Sequence, residues 1–168
     1  MTELELFIKQ NEDNFSDIGE VFKKAKEYIR TLLLHMNNPI KDKNSFPVYL
    51  GKLLYIEKRI IREKGMFWQY YAREQYGYKK FRSIEIYMQI AKAPNSIEFS
   101  FLGLERMLRI LRYFKQTGIK TSDPFGDMMK IINLKLDGVS PHKDGDAADI
   151  VKHYIDDELK YVVPFKNN

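Results

Sequence analysis

The sequence predicts an all-α fold: a multi-helix domain with a short irregular C-terminal tail. Apolar residues recur at three- and four-residue spacing in successive segments, which is the period of helices buried on one face. Proline, glycine and asparagine separate these segments, for instance at residues 37–39 and 94–96. The alternation of apolar and polar residues that indicates strands is absent, apart from a short extended segment predicted at 161–165.

The N-terminal segment, residues 1–45, predicts two helices. Thr2 and Glu5 have the spacing of a capping box ahead of a short amphipathic helix at 4–10. Ser16 is the predicted cap of a long helix that runs to Met36. The apolar stripe of this helix fits either packing within the chain, which we favour, or a dimer seam.

The middle of the chain predicts a helix at 48–63, with Gly65 as its stop, followed by two shorter helices on either side of Gly77. The first of these lies in MFWQYYAREQ and the second in KKFRSIEIYMQIAKA. The side chains expected to lock the two helices together are Phe67, Trp68, Tyr71, Phe81, Ile84 and Met88. Those expected to face outward from the second helix are Lys79, Lys80, Arg82, Ser83, Glu85, Ile86 and Gln89.

The remaining helices are predicted at 101–115, at 124–136 with proline in the first turn, and at 147–160. Asp144, Asp146 and Asp149 have the chemistry of Mg²⁺ or Ca²⁺ ligands, but their spacing lacks the glycine and the last glutamate of an EF-hand loop. We interpret them through the start of the last helix, with Asp146 as its cap. We expect no metal site and no cofactor.

Several function classes are disfavoured by composition. The chain has no cysteine, which is typical of a reducing compartment, and we expect a cytoplasmic protein. The acidic N-terminus does not resemble a secretory signal, and no apolar stretch approaches the roughly 20 residues of a membrane span. The three histidines lack the spacing of a zinc enzyme, and no serine lies in a nucleophile motif. We therefore expect neither an enzyme nor a small-molecule substrate.

The positive charge is concentrated in the middle of the chain. The net charge is −1 over residues 1–47, +9 over 48–121 and −3 over 122–168. This pattern suggests an N-terminal helical segment (1–45), a basic domain (46–121) and an acidic C-terminal helical extension (122–168). A basic stretch between acidic flanks fits a surface that faces a polyanion, although charges distant in sequence need not share a face.

Residues 66–91 contain the parts of a helix-turn-helix: a support helix, a glycine at the turn and a second helix with a polar face. Gly77 can adopt the left-handed conformation that such a turn often requires. The alternative is a purely structural pair of helices whose lysines are solvated. Cations near residue 63 are then explained by the helix dipole, which favours positive charge at the C-terminal end of a helix. The predicted DNA contacts are the phosphate anchors Lys58, Arg62, Lys64 and Arg73, and the groove-facing Lys79, Lys80, Arg82, Ser83 and Gln89.

A longer pattern runs through the same region. Gly51, Leu54, Lys58 and Ile61 have the form GxxLxxxKxxI, and an aromatic pair, Gly77 and the ending YMQIA follow. This stretch resembles small helix-turn-helix proteins of phage and plasmid origin, including plasmid partition and replication-accessory proteins. With the leucine-rich LGLERMLRIL the resemblance covers residues 50–112, although the stretch from Gly77 to YMQIA is one residue longer here. We expect a homodimer that binds double-stranded DNA in plasmid or phage maintenance or transcriptional control.

Two alternatives remain open at this point. The chain also fits a non-enzymatic helical module whose basic centre binds an acidic protein partner. Five tyrosines among the basic residues can stack on single-stranded bases, donate a hydroxyl to phosphate, or pack in the core or at its rim. They are Tyr70, Tyr71, Tyr76, Tyr78 and Tyr87.

Overall fold

The computed structural model describes residues 1–37, 44–136 and 146–162, except for the side chains of residues 146 and 147. All regular secondary structure in these ranges is helical, which confirms the all-α prediction. The helices are α1 (Glu3–Asn11), α2 (Ile18–Met36), α3 (Phe46–Glu63), α4 (Trp68–Tyr76), α5 (Tyr78–Lys92), a 3-10 helix (Glu98–Leu102), α6 (Leu104–Thr117), α7 (Pro124–Lys135) and α8 (Asp146–Glu158).

The chain forms two compact units, Met1–Lys92 (unit 1) and Ala93–Asn168 (unit 2). The boundary between them falls inside the basic segment 46–121 that charge alone suggested. Helices α1 and α2 pack on α3 within unit 1, so the N-terminal helices and the basic helices share one core.

The N-terminal helices begin at side-chain caps. Thr2 and Glu5 form the predicted capping box, with the Glu5 N–H donating to Thr2 Oγ1 (3.2 Å) and the Thr2 N–H to Glu5 Oε2 (2.7 Å). The prediction of Ser16 as the second cap is wrong by one residue. Asp17 caps α2, because its Oδ1 accepts a hydrogen bond from the Glu20 N–H at 3.0 Å, and a carboxylate also complements the helix dipole.

The apolar stripe of α2 is buried within unit 1. Val21, Ala25, Ile29 and Leu32 belong to the same core cluster as the buried leucines and isoleucines of α3. This is the packing within the chain that the sequence favoured. A second chain is therefore not needed to bury the apolar stripe of α2, and the homodimer stays a prediction.

Helices α3 and α5 approach each other very closely at Gly51. A Cβ atom placed on Gly51 would lie 2.1 Å from the carbonyl oxygen of Tyr87 and 2.7 Å from the Cβ of Ala91. Only glycine leaves room for this backbone contact. Ala91 of α5 is buried at this contact.

A buried carboxyl lies at the centre of unit 1. Glu57 belongs to the α3 stripe by its spacing, and its side chain has no exposed surface. It accepts hydrogen bonds from Tyr71 Oη at 2.7 Å and from Tyr76 Oη at 2.5 Å, one on each carboxyl oxygen. Burial raises the pKa of Glu57, and the two hydroxyls and the nearby Lys26 oppose that rise only in part. Burial and the Glu57 carboxyl also raise the pKa values of both tyrosines.

Unit 2 begins with the 3-10 helix, and the prediction of one helix from residue 101 is therefore wrong in its first turn. Gly103 has φ +82° and separates the 3-10 helix from α6. Gly118, the C-cap of α6, adopts the left-handed conformation. Arg106 of α6 donates two hydrogen bonds to the Asp156 carboxylate of α8, at 2.8 and 2.7 Å. Residues 161–162 form a turn, and the rest of the predicted extended segment lies outside the described residues.

Neither a membrane span nor a metal cluster is found in the described ranges. None of the helices there is both long and apolar enough to cross a membrane. Nor do three His, Asp or Glu side chains in those ranges meet where they could hold a metal ion. Asp144 and the side chain of Asp146 lie outside the described residues.

Candidate nucleic-acid interface

Helices α4 and α5 are joined by a single residue, Gly77. Its φ of +87° confirms the need for glycine, but its ψ of 150° places it outside the left-handed helical region that the sequence predicted. The Gly77 N–H still donates to the Arg73 carbonyl at 2.9 Å, so α4 is hydrogen-bonded up to the joint. The connection is thus shorter than the three- or four-residue turn of an ordinary helix-turn-helix.

Most, but not all, of the residues predicted to lock α4 and α5 together are buried or partly buried in the core of unit 1. Trp68, Ile84 and Met88 are buried, and the Trp68 Nε1–H donates to Glu85 Oε1 at 2.8 Å. Phe67 is 84% exposed, so the prediction that it locks the helices together is wrong. It stands one position before α4, where its ring points to solvent while Trp68 takes the buried place.

A pocket of about 570 Å³ lies against the first turn of α4; we call it the α4 pocket. Lys58 and Arg62 of α3, one helical turn apart, meet Arg73 of α4 at this pocket. Lys58 Nζ lies 5.9 Å from the Trp68 ring centre, and Arg73 Cζ lies 4.8 Å from that of Phe81. The other side chains that line it are Met66, Phe67, Trp68, Gln69, Tyr70, Tyr78 and Glu85.

One face of α5 continues this surface. Tyr78 and Glu85 line the α4 pocket, and Arg82 and Gln89, four residues further along in each case, lie on the same helical stripe. Both are exposed, as is Lys79 in the first turn. The structure therefore brings Lys58, Arg62 and Arg73 together at one pocket, and helical spacing places Arg82 and Gln89 on the α5 stripe that contains Tyr78 and Glu85. Glu85 and Ile86, both predicted to face outward, are only half-exposed.

Three other predicted contact residues lie elsewhere. Lys64 lies over the ring of Phe22 in α2, with Nζ 4.3 Å from the ring centre. Lys80 is exposed and Ser83 is half-buried, and both line a separate pocket that they share with Leu33 of α2. A helix rotates by about 100° per residue, so residues adjacent to the Tyr78–Gln89 stripe in sequence face different neighbours.

The five tyrosines divide between core and surface. Tyr71 and Tyr76 donate to the buried Glu57, and Tyr87 is half-buried, with a pKa that burial raises. Tyr70 and Tyr78 are each 70% exposed at the α4 pocket. Neither the pocket nor the role of Glu85 was predicted from the sequence, and an aromatic run flanked by cations was the signal that could have indicated the pocket.

The net charge of the chain belongs to unit 1. That unit has 17 Lys and Arg against 12 Asp and Glu, a net charge of +5, whereas unit 2 has 11 of each. Unit 1 therefore carries the whole net positive charge of the chain. Comparison with protein-family models, with curated proteins and with solved structures finds no match to this chain. The resemblance to phage and plasmid helix-turn-helix proteins thus stays a prediction.

Proposed function

We propose that unit 1 binds duplex DNA through the surface formed by α3, α4 and α5. The observation that carries the proposal is the meeting of Lys58, Arg62 and Arg73 at one open pocket. These cations come from two helices and lie beside the polar stripe of α5. Phosphate contacts supply most of the affinity in such an interface and set its register, which is the role that clustered cations perform.

The polar stripe of α5 supplies the candidate base contacts. Gln89 has the chemistry that pairs with adenine, and Arg82 has the planar fork that pairs with guanine. Lys79 stands at the start of α5, where it can reach a phosphate. The stripe also includes Glu85, which limits the positive charge there and can accept a hydrogen bond from cytosine. The sequence resemblance supports, as part of the proposal, a role in plasmid or phage maintenance or transcriptional control.

The alternative is that the same cations bind an acidic protein. Both partners are polyanions, but only DNA offers regularly spaced phosphates with a condensed counterion layer. The two therefore differ in salt dependence and in competition. A polyglutamate of matched charge competes for an acid-binding surface, whereas an unlabelled duplex competes for a DNA-binding one.

Neutralising the three pocket cations is expected to abolish most duplex binding. The variant combines Lys58→Gln, Arg62→Gln and Arg73→Gln, and affinity for a labelled mixed-sequence duplex should fall about 100-fold at low salt. Fluorescence anisotropy measures this affinity at salt concentrations from about 50 to about 250 mM. The slope of log affinity against log salt should become shallower by about 0.9 for each phosphate that the variant no longer neutralises.

A matched variant removes three exposed lysines of unit 1 that do not line the α4 pocket: Lys9→Gln, Lys23→Gln and Lys24→Gln. It loses the same formal charge and should keep nearly all of the duplex affinity. Circular dichroism checks that both variants are folded. The proposal would be overturned if the two variants lose equal amounts of duplex affinity, or if the unaltered protein does not bind the duplex at about 50 mM salt. It would also be overturned if polyglutamate, and not unlabelled duplex, displaces the labelled duplex.

A further inference from the structure

Three exposed aromatic side chains surround the α4 pocket. Phe67 is 84% exposed, and Tyr70 and Tyr78 are each 70% exposed. The contact between α4 and α5 leaves all three exposed, whereas Trp68, which donates a hydrogen bond to Glu85 of α5, is buried. Exposed rings gathered at one concave site, beside cations, are typical of a binding surface.

Glu85 adds a hydrogen-bond acceptor to the same pocket. Its Oε1 accepts from Trp68 Nε1 at 2.8 Å, which holds the carboxylate in place between α4 and α5. A carboxylate can accept several hydrogen bonds and suits the exocyclic amino group of a base such as cytosine. Thymine has no such group, so this acceptor distinguishes between bases.

Cations and rings together match one ligand chemistry. Aromatic faces stack on any base, and lysine and arginine bind the phosphate attached to it. The volume of about 570 Å³ lies within the ordinary size range of small-molecule sites. Inside a duplex a base is stacked between its neighbours and cannot enter a pocket, so the ligand must be unpaired or flipped out.

We propose that the α4 pocket holds one unpaired nucleotide of the bound DNA, with a base that carries an exocyclic amino group. The base stacks on the exposed rings, its amino group donates to Glu85, and its phosphate contacts Lys58 and Arg62. The inference rests on the proposed function, because these cations also belong to the duplex-binding surface. The preferred target is then a duplex with an unpaired base rather than a fully paired one.

The test compares one duplex in four forms: fully paired, or with a single bulged dC, dT or abasic nucleotide. The dC bulge should bind about tenfold more tightly than the paired and abasic forms. Trp68 is the only tryptophan of the chain and lines the pocket, so its emission should change with the dC bulge and not with the paired duplex. Phe67→Leu combined with Tyr78→Leu should remove the tenfold preference, whereas Tyr161→Leu, at an 80% exposed tyrosine of unit 2, should not.

Glu85→Gln tests the choice of base. The amide oxygen still accepts from Trp68 Nε1, and the ratio of dC to dT affinity cancels any general effect of the lost charge. We expect this ratio to fall close to one. The inference is overturned if paired and bulged duplexes bind equally and Trp68 emission does not change, a result that leaves duplex binding intact. If the unaltered protein binds none of the four forms, the proposed function and this inference are both overturned. If it binds only the bulged DNA, only the duplex proposal is overturned.

Discussion

Replacing Gly51 by alanine is expected to destabilise unit 1 by about 3 kcal/mol, the upper part of the usual range for an overpacked core. The new Cβ would lie 2.1 Å from the Tyr87 carbonyl oxygen and 2.5 Å from its carbonyl carbon. Both atoms belong to the backbone of α5, so no side-chain rotation relieves the clash. Helices α3 and α5 must move apart, and this opens the contact with Ala91, which is buried. The gain in helix propensity, about 1 kcal/mol, does not offset that cost.

Thermal and urea unfolding measure this effect, and Gly19→Ala is the matched control. Gly19 lies in the first turn of α2, where the added Cβ meets only Asp17 Oδ1, at 3.4 Å. The stability of the Gly19→Ala variant should equal that of the unaltered protein or be slightly higher. For a unit of this size the Gly51 variant should melt about 10 °C or more below the unaltered protein. Equal melting temperatures would show that the two helices do not touch at Gly51.

Removing the Glu57 carboxyl is expected to cost about 2–4 kcal/mol. In Glu57→Ala, the buried acceptor of two tyrosine hydroxyls is lost and a cavity remains in its place. Tyr76→Phe removes one of the two donors and should cost about 1–2 kcal/mol, because one carboxyl oxygen then stays buried without that bond. A double-mutant cycle between Glu57 and Tyr76 measures their coupling. If the two losses simply add, the hydrogen bond contributes nothing.

The same carboxyl should make stability depend on pH in a defined direction. Burial raises the folded-state pKa of Glu57 above its unfolded value, so the unfolded chain releases this proton at a lower pH than the folded protein does. The contribution of Glu57 is therefore fully present below the unfolded pKa and is lost as pH rises through the folded pKa. Asp127 and Asp156 have lowered pKa values and act in the opposite direction.

Glu57→Gln isolates this contribution, since the amide has nearly the same shape and does not titrate. The free energy of unfolding of the unaltered protein minus that of the variant should decrease as pH rises above about 4.3, the usual glutamate pKa. Other titrating groups cancel in this difference. A difference that stays flat, or increases with pH, contradicts a raised pKa at Glu57.

Local features of the chain were predictable because they depend on residues close in sequence. The capping box of Thr2, the positive φ of Gly77 and the proline at the start of α7 each follow from the chemistry of one turn. The apolar period likewise predicts α2 and α3 to within a few residues. The error at Ser16 is of the same local kind, because two neighbouring residues can both act as caps and only backbone geometry selects Asp17.

The sequence by itself therefore determined the helical fold of the described ranges and the concentration of positive charge in the middle of the chain. Which side chains share a surface was decided only by the tertiary structure. Arg73 joins Lys58 and Arg62, whereas Lys64 and Ser83 turn toward α2. The close approach at Gly51 sets how α5 packs against α3, and so helps to set which neighbour Ser83 meets. The partners of Glu57 and the exposure of Phe67 likewise depend on contacts between helices. A helical period says which residues share a face, but not which neighbour that face meets.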